Sequence, residues 1–213
     1  MDLAPYIEHT NLHPTLNSRD VDRLIEEAEK FGFFGICVPP FWVKKAARDL
    51  RGSGVKLVTV IGFPLGYNRT ETKLSEIASA IRDGADELDI VMNISSFKTG
   101  MPWTKIELAK CAGMIHESEK QMKTIIETAY LSDEEIIRAC RICEESGTDF
   151  VKTSTGFASA GAKTEHIKLM RTVLGKEVGI KASGGIKDRN FAISLIKAGA
   201  DRIGTSSGPA LLE

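Results

Sequence analysis

The chain has little net charge, no long apolar run and few cysteines, and each shortage closes off a class of function. Its 28 basic and 29 acidic residues leave a formal net charge of −1, and the basic residues that crowd together, Lys44, Lys45, Arg48 and Arg51, fall in a helical pattern rather than along one stripe. Nucleic acid is therefore not an expected partner. No stretch approaches the roughly 18 apolar residues of a membrane span, and Met1 to Pro5 has neither a basic nor an apolar leader region, so no membrane partner and a cytoplasmic location are expected. Four cysteines in 213 residues do not make a disulfide framework. Cys140 and Cys143 do form a C-x-x-C. It sits inside a helical pattern with no second ligand pair, the setting of small helix residues rather than of a zinc or redox centre. His9, His13, His116 and His166 are equally scattered, and no metal or cofactor is expected. A G-x-G-x-x-G after the first strand and a P-loop are also missing, which argues against an open nucleotide-binding sheet.

What the chain does have is a repeated phrase. Gly84-Ala85-Asp86-Glu87-Leu88, Gly147-Thr148-Asp149-Phe150-Val151 and Gly199-Ala200-Asp201-Arg202-Ile203 each end a helical pattern in glycine and begin a strand. Eight strand candidates follow, at 6–10, 34–38, 56–62, 87–92, 123–128, 149–153, 178–182 and 201–205, with helical periodicity between them. Ser18 and Ser132 are positioned to open helices, the second as a capping box with Glu135. Without a linker or composition shift, the reading is an α/β protein, a (β/α)8 TIM barrel formed by residues 1–213 as one domain.

Two lysines are out of place in this pattern. Lys152 in Phe150-Val151-Lys152-Thr153-Ser154-Thr155-Gly156 and Lys181 in Ile180-Lys181-Ala182-Ser183-Gly184-Gly185 interrupt apolar strands just before glycine-bearing loops. An ammonium in a buried strand is unfavourable unless its charge is offset. Strand alternation turns both toward the barrel centre, together with Glu87 and Asp89 from the fourth strand, and allows Glu8 and Glu127. A barrel centre is normally filled by bulky apolar side chains, so acids and lysines there read as an active site. Two ammonium groups roughly 6 Å apart repel by about 3 kcal/mol at an effective dielectric near 20, which favours one neutral amine, the form that imine chemistry needs. Parity does not say which lysine attacks. The loops after strands seven and eight often hold phosphate in such barrels. Gly184-Gly185 and Gly204-Thr205-Ser206-Ser207 offer amides and hydroxyls there, and Thr155-Gly156 adds to them.

These motifs, with Ile7-Glu8-His9-Thr10 and Thr59-Val60-Ile61-Gly62-Phe63-Pro64-Leu65-Gly66, resemble the deoxyribose-phosphate aldolases, class I Schiff-base lyases of deoxyribonucleotide catabolism. The resemblance spans nearly the whole chain. It implies reversible cleavage of 2-deoxy-D-ribose 5-phosphate to acetaldehyde and D-glyceraldehyde 3-phosphate, without a metal. It further implies Lys152 as the nucleophile, Lys181 as the neighbouring cation that favours its neutral form, and Asp89 as a proton relay working through a water. Thr155, Gly156, Gly184, Gly185, Gly204, Ser206 and Ser207 are implied around the phosphate, and a homodimer as the assembly. The pattern departs at Glu8, where the family usually has aspartate, at Pro39 for asparagine, and at Phe157 for lysine in some members. The sequence given also stops short of the longer tail that members can fold over the site. The competing readings are another Schiff-base aldolase acting on a phosphorylated sugar and a catalytically silent sugar-phosphate binder.

Overall fold

The glycine phrase acts as its sequence implies. Gly84 ends α3 (Thr70–Asp83) in the left-handed conformation, φ 105°, and β4 (Glu87–Val91) starts three residues later. In a computed structural model, which describes residues 1–213, eight parallel strands pair in chain order and β8 closes on β1. The others are β1 (Ile7–Thr10), β2 (Gly35–Val38), β3 (Lys56–Ile61), β5 (Gln121–Ile125), β6 (Phe150–Lys152), β7 (Gly179–Ser183) and β8 (Arg202–Thr205).

Around them run α1 (Ser18–Phe31), α2 (Val43–Asp49), α3, α4 (Ile94–Lys98), α5 (Trp103–His116), α6 (Asp133–Glu145), α7 (Thr164–Val173) and α8 (Arg189–Lys197). α1 buries Val21, Leu24, Ile25 and Ala28, the one-face spacing of an amphipathic helix. Its N-cap is Asn17, one residue before the expected Ser18, and Asn17 and Asp20 form a capping box there; Ser132 caps α6 with Glu135 as read. The β4–β5 crossover carries two helices, and β8 is followed only by the 3₁₀ turn Pro209–Leu211. No helix is long and apolar enough to cross a membrane.

The apolar core lies between sheet and helices. Inside the barrel the apolar filling is small: Cys37, Val58 and Val60 form a separate cluster flanked by Leu12 and Phe63. The rest of the interior is ionic, with Glu8, Asp89, Lys123 and Lys181 fully buried and Lys152 and Glu87 nearly so.

Candidate active site

Strand register brings the charged groups together. β6 and β7 pair with Lys152 beside Lys181, and β4 and β5 pair with Asp89 beside Lys123. All three ammonium groups converge on one carboxylate. Asp89 Oδ2 accepts from Lys152 Nζ at 2.9 Å and from Lys181 Nζ at 2.7 Å, while Oδ1 accepts from Lys123 Nζ at 3.0 Å. Lys181 also pairs with Glu8, which faces Gly204 across the β1–β8 seam. A Cβ at 204 would lie 3.1 Å from Lys181 Cε, so the glycine leaves the corridor through which Lys181 reaches Glu8. Lys123 stands 2.5 Å from Glu87 and 3.5 Å from the second Glu8 oxygen.

Burial alone would raise the Asp89 carboxyl; the ammonium groups of Lys123, Lys152 and Lys181 overcome it and hold Asp89 well below the usual carboxylate range. Burial acts against the Lys181 charge, but Asp89 and Glu8 outweigh it and raise Lys181. Lys123 is raised further, by Asp89, Glu8 and Glu87 against the same burial. Lys181 is therefore a cation already partnered by two carboxylates, not an isolated neighbour. With Lys123 and Lys181 charged against Glu8, Glu87 and Asp89, the cluster holds one unmatched negative charge. A positive group at Lys152 Nζ, whether ammonium or iminium, balances it, the arrangement expected of a site organised for a cationic intermediate.

Lys152 is the member of this cluster that meets open space. It lines a cavity of about 450 Å³ at the C-terminal mouth together with Thr155, Gly156, Gly184, Gly185, Gly204 and Ser206. Ser207 does not line it; its amide turns back to Thr205 Oγ1 at 2.9 Å. The loops after β6 and β7 are sewn together beside the cavity. Ser183 Oγ donates to the Ser154 carbonyl at 2.6 Å, and the Ala162 amide donates to the Gly184 carbonyl at 3.0 Å. A Cβ on Gly161 would come 2.1 Å from that same Gly184 oxygen.

This geometry sits in a chain whose relatives are known. The profile of the DeoC/LacD family aldolases matches residues 4–212. The chain belongs to that aldolase family. It is 48% identical over 213 residues to the deoxyribose-phosphate aldolase of Aciduliprofundum boonei, covering 100% of this chain and 96% of the relative. The deoxyribose-phosphate aldolase of Thermococcus gammatolerans is also 48% identical, with the same two coverages. Among solved structures, the aldolase QR15 superposes with a TM-score of 0.95 at 43% identity, over 100% of this chain and 95% of that one. A tetrameric deoxyribose phosphate aldolase from Aeropyrum pernix gives 0.92 at 33% identity, over 99% and 89%.

Within this aldolase the sequence reading missed three side chains. Lys123 escaped because the fifth strand runs from 121 to 125, two residues ahead of the expected 123–128. The parity that allowed Glu127 inward applies equally to Lys123. Glu127 itself lies beyond the strand, in the left-handed region at φ 50°, and its carboxylate turns to Thr155 instead of the barrel axis, accepting from the Thr155 amide at 3.1 Å and from its hydroxyl. Thr155 thus lines the cavity with both of its donors already engaged. Lys187, just past Gly184-Gly185, adds a cation to the cavity wall. Cys37 faces the cluster, and burial pushes its thiol up to about 11 against the lowering effect of Lys181. Cys140 and Cys143 are buried free thiols on α6, in keeping with their reading as helix residues.

Proposed function

We propose that the chain cleaves 2-deoxy-D-ribose 5-phosphate reversibly to acetaldehyde and D-glyceraldehyde 3-phosphate, with Lys152 as the Schiff-base nucleophile. The observation that carries the assignment of roles is access: of the three lysines on Asp89, Lys152 alone lines the cavity, while Lys123 and Lys181 are fully buried. In this reading the Lys152 amine adds to the aldehyde carbon of the open-chain sugar, and loss of water gives an iminium. The hydroxyl on the third carbon then loses its proton and becomes the new aldehyde, the bond between the second and third carbons breaks, and the electron pair is held as an enamine. Asp89, through a water, takes that proton and returns one to the enamine carbon. Hydrolysis of the new iminium frees acetaldehyde and Lys152.

Lys181 and Glu8 support this by fixing the Asp89 rotamer and keeping the iminium's countercharge in place. The Gly156, Gly184, Gly185 and Gly204 backbone, Ser206 and Lys187 serve the phosphate end. Thr155 serves there only as a fixed wall, because its hydroxyl proton is committed to Glu127 and its oxygen accepts from the Phe157 amide. Ser207 has an indirect part, shaping the loop through Thr205. Residues 1–213 act as one catalytic unit in the cytoplasm on small phosphorylated substrates, with no metal or cofactor and with neither nucleic acid nor membrane as a partner. A homodimer is the proposed assembly, and the mass in solution separates it from the tetramer known for the Aeropyrum pernix relative.

The deciding experiment adds acetaldehyde and borohydride and maps the reduced adduct by peptide mass. An ethyl adduct on Lys152, lost in Lys152→Ala, is expected. An adduct on Lys181 would reverse the two roles. Absence of any adduct, with ligand-induced thermal stabilisation retained, would leave a silent sugar-phosphate binder. Turnover of dihydroxyacetone phosphate or pyruvate in place of acetaldehyde would point to a different Schiff-base aldolase.

A further inference from the structure

The chemistry above uses Asp89, Lys152 and Lys181 and leaves the Glu87–Lys123 pair without a part. Glu87 is the first residue of β4, and it lines a second cavity, about 480 Å³, at the opposite, N-terminal mouth of the barrel, beside Phe34, Lys56, Lys120 and Arg202. From there the ion pairs are continuous. Glu87 Oε2 lies 2.5 Å from Lys123 Nζ, Lys123 Nζ lies 3.0 Å from Asp89 Oδ1, and Asp89 Oδ2 lies 2.9 Å from Lys152 Nζ. A line of charged groups thus joins the two mouths along the barrel axis.

The two ends of the line are not equivalent. At the upper end Asp89, Glu8 and Lys181 are fully buried, and the Lys152 side chain is only 3% exposed. On the aldolase reading, a substrate seated on Lys152 closes off Asp89, together with the one water that relays its protons, from the bulk water of the upper cavity. A proton that Asp89 then takes from the iminium's methyl carbon has two ways to leave: back to that carbon, or down the line. Bond cleavage needs only the first, since the proton taken from the substrate hydroxyl is the one returned to carbon. Exchange of that proton with solvent needs the second.

We propose that Glu87 and Lys123 form a rear proton exit that connects Asp89 to water at the N-terminal mouth while substrate closes the front. The proposal rests on the aldolase reading and on Asp89 as the base. Asp89 passes its proton to Lys123 as Lys123 passes another to Glu87, so the ammonium charge is unchanged. Glu87 then releases a proton to water in the lower cavity. One proton crosses, no carbon bond forms or breaks in this segment, and nothing is oxidised or reduced. The reverse sequence reprotonates Asp89. A purely architectural role is a weaker account of the pair, because a buried ion pair seldom stabilises a fold more than apolar packing of the same volume.

The test compares two rates in deuterium oxide: deuterium incorporation into the methyl group of acetaldehyde, followed by NMR, and cleavage of 2-deoxyribose 5-phosphate. In Glu87→Gln the amide cannot carry the proton, so the ratio of exchange to cleavage should fall by about tenfold or more, because the proton returns to the carbon it left. Lys123→Arg keeps the positive charge with a group that does not give up its proton, and it should lower the same ratio. Glu87→Asp should restore it. An unchanged ratio in a folded Glu87→Gln that still forms the borohydride adduct on Lys152 overturns the exit. So does an equal fall of both rates, the sign of a structural role. Absence of adduct, exchange and cleavage in the unmodified chain would instead overturn the aldolase reading beneath it.

Discussion

Lys73 and Lys152 are both buried lysines, 0% and 2% exposed, yet only Lys152 lines the cavity at the C-terminal mouth. Lys73 projects from α3 on the outside of the barrel. Its Nζ donates to the Val91 carbonyl at 2.9 Å and to Glu107 Oε1 at 2.5 Å, and the other Glu107 oxygen takes the Thr70 hydroxyl at 3.0 Å. Every charge in that group has its own counterpart and none lines the catalytic cavity. Lys152 instead shares the Asp89 carboxylate with two other cations, and its own neighbourhood opens to that cavity. Burial of a lysine is thus a poor marker of chemistry. A shared counter-ion and an open side are the better marker.

Several substitutions would break or sharpen this contrast. Lys152→Ala should lower kcat by about 10⁴ or more, as loss of a covalent nucleophile does, while Lys73→Met leaves the activity of each folded molecule near that of the parent. Steady-state rates normalised to the folded fraction measure both. If Lys73→Met proved as inactive as Lys152→Ala, the distinction would be lost.

Asp89→Asn should lower kcat by about 10²–10⁴ and also destabilise, because it leaves three buried ammonium groups short of a carboxylate. Its pH signature has a definite sign. A carboxyl held below its ordinary value contributes stability above about pH 4 and loses it as pH falls toward the folded value. Urea unfolding between about pH 4 and pH 2 should therefore show a steeper loss for the parent chain than for Asp89→Asn.

Lys73→Met should lose about 3–5 kcal/mol of stability, the usual effect of leaving one charge of a buried pair behind. Lys73→Met combined with Glu107→Leu should recover most of it, and chemical denaturation measures both. The smallest effect is expected at Lys187. Lys187→Ala removes one cation from the cavity wall and should raise KM for the phosphorylated substrate by about tenfold with kcat nearly unchanged, the equivalent of one charge-assisted contact. An equal loss in kcat would mean that Lys187 serves the reacting centre and not the phosphate.

The two buried lysine systems also differ in how visible they are along the chain. Lys152, Lys181 and Asp89 break the alternation of short strands, and a period of two is unforgiving, so their inward direction follows from parity once the strands are placed. Lys123 obeys the same rule, but a two-residue offset of β5 placed it at the very start of the expected strand. Glu127 shows the limit of parity: a single left-handed residue past the strand end redirects the side chain. Lys73 leaves no mark at all, because a lysine in an amphipathic helix reads as solvent-facing until its neighbours across α3 and α5 are known. Most strands were legible because a glycine ends the helix before them, but β5 follows a left-handed Glu119 instead and was placed two residues late, and the doubled helix between β4 and β5 and the short turn after β8 were not legible.

The contact between Gly161 and Gly184 has a mechanical meaning. With backbone against backbone and no side chain to act as a spacer, the loops after β6 and β7 cannot slide past each other, and the wall they share moves as one stiff plate. A substrate that meets such a plate finds its shape already set. Selectivity among aldehydes should then follow fit at a fixed aperture, and trimming side chains at the rim should admit a longer or bulkier aldehyde where loosening the loops does not.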